Sequence, residues 1–280
     1  MKRTAYILLT VALAGAASMV IAQQPNEQVR VPFSDPSRPG TIDMSVLNGS
    51  ITVKAENRAD VAIVMVQPRN TGAAPQTQGG LRRLNQTAGM SVEERGNRMS
   101  ISTSNINATA NFMLAVPTRT NLRLNVVNGG AIVVEGVDGE LEVNNVTGPV
   151  TMTNVGGSVV AGSVNDDLRV TMTRVEPQKA MAFTSVNGAV DVTLPRTVRA
   201  NLKLRSNFGD VLSDFDIQAQ AAPPARVEAR LEALRREFER GGSGGTRIVV
   251  DEFVYGTVNG GGPEFELRTV NGNIYVRRGN

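Results

Sequence analysis

Along residues 41–280, apolar and polar positions alternate in short runs that restart behind one recurring signature. In VLNGSITV (46–53), SVNGAVDV (185–192) and TVNGNIYV (269–276), an apolar residue precedes a turn dipeptide. Apolar residues then return four and six places later. Written Φ-x-G-x-Φ-x-Φ, the pattern covers Leu47-Asn48-Gly49 with Ile51 and Val53, and Val137-Asp138-Gly139 with Leu141 and Val143. Next come Val146-Thr147-Gly148 with Val150 and Met152, then Val155-Gly156-Gly157 with Val159 and Ala161. Val164-Asn165-Asp166 takes Leu168 and Val170, Val186-Asn187-Gly188 takes Val190 and Val192, and Val270-Asn271-Gly272 takes Ile274 and Val276. Val127-Asn128-Gly129 and Val258-Asn259-Gly260 are looser copies.

Asn-Gly and Asp-Gly tolerate positive φ and mark tight turns, and alternation with period two is a strand with one buried face. Thr151, Thr153, Glu140, Glu142, Arg169 and Asp191 take the intervening, solvent-facing places. From 137 to 164 the copies recur every nine residues, and the next step, to Val186, is 22. A step near twice the short period fits a coil holding two or more strands, one of whose turns has lost its signature. The expectation is an all-β, repetitive β-solenoid (β-helix-like) over 41–280. The alternative is an antiparallel β-sandwich, whose hairpins the same turns would close.

Two stretches interrupt the pattern. Residues 67–89 are rich in Gln, Gly and Pro and read as a surface loop insertion. Residues 221–245 read as a helical insertion, with Pro223 and Pro224 before it and Gly241 and Gly242 after it. Val227, Leu231, Leu234 and Phe238 fall on one helical face, at spacings of 4, 3 and 4. That amphipathic helix (225–240) either packs on the β body or docks a partner.

The first 22 residues carry a basic pair, Lys2 and Arg3, an apolar run, and small residues Val20 and Ala22 at the end. This order is that of a signal peptide cleaved before Gln23, with 23–40 as a linker to the repeats. The expected location is outside the cytoplasm: periplasmic, cell-surface or secreted. Retention of the leader as an anchor is the other reading. No span-length apolar segment follows it, so no stable membrane span is expected after cleavage.

Charge then removes one class of partner. The chain has 29 basic and 26 acidic residues, and losing Lys2 and Arg3 leaves 27 against 26. That balance gives no electrostatic footprint for nucleic acid. The chain has no cysteine, so packing and hydrogen bonding rather than disulfides must hold it together. It has no histidine, which removes the usual general base and the commonest transition-metal ligand. Neither an SxxK motif nor a phosphate-binding loop is present. No cofactor, metal or catalytic residue is expected.

What remains is carboxylate chemistry. Asp210, Asp214 and Asp216 cluster in GDVLSDFDI, and Asp251-Glu252 forms a second pair. Paired carboxylates at a suitable separation hydrolyse glycosides, so a carbohydrate-active enzyme is the rival function. Charged residues at strand ends are ordinarily solvated, and the chain has no tryptophan for a sugar-stacking cleft. The expected protein is not an enzyme.

The segments SVNGAVDVTLP, NVTGPVTMTNVGGSV and TVNGNIYV resemble the putative-adhesin family of bacterial envelope proteins, across about residues 41–280. The resemblance implies an exported, all-β, non-enzymatic protein with a solenoid-like fold, adhesin-like or structural. It would contact an envelope or surface component, protein or polysaccharide. Some relatives are linked to envelope stress, which implies a scaffold docking through the 225–240 helix as another alternative. The shared motifs are turn and core positions, so no site residues come with them.

Overall fold

The computed structural model describes residues 28–66, 77–78, 81–82, 89–103, 108–220 and 253–279. Among them every regular element is a strand. In chain order these are β1 Gln28–Pro32, β2 Gly40–Glu56, β3 Asp60–Val66, β4 Thr77–Gln78, β5 Leu81–Arg82, β6 Met90–Arg95 and β7 Arg98–Thr103. They continue as β8 Ala110–Pro117, β9 Thr120–Glu135, β10 Asp138–Asn145, β11 Val150–Ser163, β12 Leu168–Val175, β13 Met181–Ser185 and β14 Val190–Leu194. The last six are β15 Ala200–Ser206, β16 Val211–Ser213, β17 Gln218–Gln220, β18 Val254–Val258, β19 Glu264–Thr269 and β20 Ile274–Arg278. The amphipathic face at Val227, Leu231, Leu234 and Phe238 lies outside the described residues. So does most of 67–89, where only the short antiparallel pair β4–β5 is described. Strand β1 lies within the 23–40 segment.

Eighteen of the strands form one hydrogen-bonded sheet. Because β2, β9 and β11 are long and turn a corner, this sheet carries two ladders joined along their length. The first runs β7, the start of β2, the start of β9, β10, the end of β11, β13, β19, β15, each pairing parallel to the next. The second runs β8, the end of β2, the end of β9, the start of β11, β12, β14, β20, β16, again parallel throughout. One strand from each ladder, with the corner between them, makes a rung. Leu141 lies beside Val159 and Val150 beside Leu168, so adjacent rungs there are 18 residues apart. The nine-residue period is therefore half a rung. Val146, Val164, Val186 and Val270 mark one corner, and Val137 and Val155 mark the opposite one.

The +4 and +6 apolar positions of every full copy are buried, from Ile51 and Val53 to Ile274 and Val276. The inward residues of both ladders form one core, whose largest fully buried side chains are Phe112, Phe183 and Phe265. The six intervening residues named above are exposed or half-buried.

Chain order and stacking order differ at both ends. Strand β2 lies between β9 and the β7–β8 rung, which follows it in sequence. Likewise β19–β20 lies between β13–β14 and β15–β16, which precedes it. Antiparallel strands flank the stack: β6 on β7, β3 and β1 beyond β8, and β18 and β17 beyond β15. Covering a ladder's last strand in this way removes a row of open backbone groups. Strand β16 pairs only with β20 among the described residues.

Candidate functional site

The Asn-Gly corner is built from three stacked columns. One is apolar: Val127, Val146, Val164 and Val186 are each 37 to 40% exposed. Beside it the turn residues bond along the stack. Thr147 donates its hydroxyl to Val127 O (3.0 Å) and Asn165 donates Nδ2 to Val146 O (3.0 Å). Asn187 donates to Asn165 Oδ1 (3.0 Å), and Asn271 donates to Asn187 Oδ1 (2.8 Å). The third column is polar, buried at Ser163, Ser185 and Thr269 and half-buried at Ser206. Ser163 donates to Gly148 O, Ser185 to Asp166 O, Thr269 to Gly188 O and Ser206 to Gly272 O, at 3.3, 3.1, 2.8 and 2.7 Å. Ser163, Ser185 and Thr269 each stand immediately before the first position of the repeat as first written, so the corner motif is one residue longer than the apolar pattern indicated.

The glycines of this corner are required by space. Gly148 and Gly188 are absent from the positive-φ residues of the chain. A Cβ at Gly188 would sit 2.2 Å from Asp166 O, and one at Gly148 would sit 2.4 Å from Gly130 O. Stacked rungs bring one corner's backbone against the next, and only hydrogen fits between them.

The carboxylates nominated for catalysis are exposed on and beyond the terminal rung. Asp214 accepts the backbone N–H of Arg278 at 2.6 Å, while Asp210 and Asp214 both use their carbonyls to hold β20 or its last residue. None of Asp210, Asp214 and Asp216 lines either of the two cavities described next. Asp251 and Glu252 lie outside the described residues. Among the described residues no group of three or more acidic side chains is arranged to hold a metal ion.

Two cavities lie at the opposite corner, where rungs begin. One cavity of about 220 Å³ is lined by Phe33, Arg38, Gly40, Arg58, Pro117 and Arg119, among others. A larger one, about 450 Å³, is lined by residues including Thr173, Arg174, Pro195, Thr197, Arg199 and Pro263. Three of the arginines lining them are matched by nearby acids. Arg38 pairs with Asp35 at 2.7 Å, and Arg58 pairs with Glu56 and Asp60 at 3.3 and 2.9 Å. Arg174 holds Asp138 and Glu176, and its hydrogen bond to Asp138 is the main cause that raises its pKa above the ordinary guanidinium value. Arg119 and Arg199 are exposed, one in each cavity, and meet no carboxylate among the described residues. No feature of the repeat pointed to them. The parallel stretches VPTRTN (116–121) and LPRTVRAN (194–201) were the only signal available.

No family model matches the chain, and no curated protein matches its sequence. Two solved structures are similar to it. One is described as a putative cell adhesion protein from Clostridium sporogenes, 9% identical, covering 90% of this chain and 99% of that one, with a TM-score of 0.43. The other is described as a putative adhesin from Bacteroides fragilis, 10% identical, covering 90% of this chain and 96% of that one, with a TM-score of 0.31.

Proposed function

We propose that the chain is an exported, non-enzymatic envelope or surface protein, adhesin-like or structural, whose two parallel ladders are the faces of a β-solenoid. The observation that carries this reading is the rung-to-rung register, with Leu141 on Val159 and Val150 on Leu168. It repeats the same polar and apolar columns along a stack. Such a surface offers a partner many weak, equivalent contacts, which sum through effective concentration rather than through one deep pocket. The leader pattern at residues 1–22 supports export.

The test is direct. Protein recovered from outside the cytoplasm should begin at Gln23 by N-terminal sequencing. The purified mature chain should co-sediment with isolated envelope material and give no turnover on glucans, pectins, chitin or peptidoglycan. An uncleaved cytoplasmic product, or hydrolysis abolished by Asp210→Asn or Asp214→Asn, overturns the reading.

A further inference from the structure

The two cavities share a corner and a lining of proline, glycine and arginine, and each holds one arginine unpaired among the described residues. From the rung that Arg119 opens to the rung that Arg199 opens, the first ladder passes through β9, β10, β11, β13, β19 and β15, which is five strand-to-strand steps. At about 4.8 Å per step the two arginines stand about 24 Å apart along the stack. Between them lie Asp138, Glu140 and Glu176, each neutralised by Arg174 or Lys179, and Glu264 at the start of β19, which is not free either. The corner therefore presents two lone guanidinium groups with no competing free acid between them.

We infer that this corner binds a linear acidic polysaccharide, with uronate carboxylates seated on Arg119 and Arg199 and the intervening sugars lying along the corner. A guanidinium is a planar fork of donors that matches a carboxylate. Thr197 adds a hydroxyl in one cavity, while Ser37 and Thr173, whose protons go to Asp35 and Val155 O, can accept from sugar hydroxyls. An acidic peptide fits less well, because extended peptides gain their affinity from an open strand edge. The strands at this corner have their edges occupied by neighbouring rungs. The assignment rests on the contact-protein reading above and names its ligand class and place.

The test uses the mature full chain, titrated with galacturonate oligomers of increasing length, with neutral dextran and with polyglutamate. Affinity should step upward once an oligomer reaches about 24 Å, since the second contact is then intramolecular. Arg119→Gln and Arg199→Gln should each weaken the long oligomer about tenfold, as expected for one charge-assisted hydrogen-bonding group, and should abolish the length step. Arg169→Gln, paired with Asp167 elsewhere on the surface, should change neither, and denaturation midpoints should match for all three variants. Equal binding of polyglutamate overturns the glycan assignment, and equal binding of dextran overturns the role given to the carboxylates. Envelope co-sedimentation that survives the double variant overturns the corner assignment while leaving the contact reading intact. Loss of co-sedimentation by the unaltered chain removes the contact reading itself.

Discussion

The hydroxyl of Thr269 reaches the carbonyl oxygen of Gly188, 2.8 Å away in space and 81 residues away in sequence. Thr269 is fully buried, so the bond lies in the dry interior of the corner. Its equivalents at Ser163, Ser185 and Ser206 tie successive rungs by the same device.

Replacing Thr269 with Val keeps the shape and deletes the donor. The expected cost is about 1 to 3 kcal/mol, the scale for a buried polar group left without its partner. Thr269→Ser should recover most of it. Equal urea midpoints for the Val and Ser variants would show that the hydroxyl contributes nothing.

Two glycines separate crowding from backbone conformation. Gly188 has no room for a Cβ, whereas Gly96 has φ +59° and nothing within 4 Å of a built Cβ. Gly188→Ala must push two rungs apart and should destabilise by about 2 kcal/mol or more, the scale of overpacking against backbone. Gly96→Ala pays only the left-handed conformation, about 1 kcal/mol. The reverse order in a denaturant series would contradict the close-stacked corner.

Acid should loosen the segment that joins β1 to β2. Glu94 accepts the hydroxyl and N–H of Ser34 and the N–H of Asn97, and these bonds hold its carboxyl below the ordinary glutamate value. Because the folded value is depressed, the stabilisation is present above the unfolded pKa and disappears as pH falls through the folded one. A carboxyl resonance of Glu94 titrating at or above the free-glutamate value would refute this. Glu94→Gln should remove the pH dependence of the Ser34 environment.

The nominated aspartates should prove separable. Asp210→Asn should leave the melting transition within about 0.5 kcal/mol, as for an exposed surface change. Asp214→Ala removes the acceptor of the Arg278 N–H and should cost about 1 kcal/mol, with no change in any binding measurement. A shared functional effect of both changes would restore them as a unit.

The inward positions were legible because alternation needs only one sequence, and all seven +4/+6 pairs are buried. Gly49 and Gly129 take the positive φ that the turn dipeptide suggests, but Gly148 and Gly188 were legible as positions and not as a cause. A turn dipeptide suggests positive φ, whereas Gly148 and Gly188 answer to a carbonyl from another rung. The small polar residue before each corner escaped notice because its partner lies in the neighbouring rung, 15 residues away for Ser163 and 81 for Thr269. Arg119 and Arg199 escaped for a related reason. An arginine is distinctive only when neighbouring arginines have partners and it does not, and those pairings are set by stacking.

The interleaving of β2 and of β19–β20 has a consequence for how the molecule comes together. A stack built in chain order could grow as the polypeptide emerges, each new strand finding its neighbour already in place. Here β15–β16 must hold a gap, or yield one, until residues 264–278 arrive, and β2 must wait for both of its later neighbours. Such long-range closure is slow, and it leaves apolar surface open until late in synthesis. A cut between β16 and β19 would therefore remove an interior member of the stack rather than shorten it by one, and the nascent protein gains its full set of neighbours only when its last strands insert.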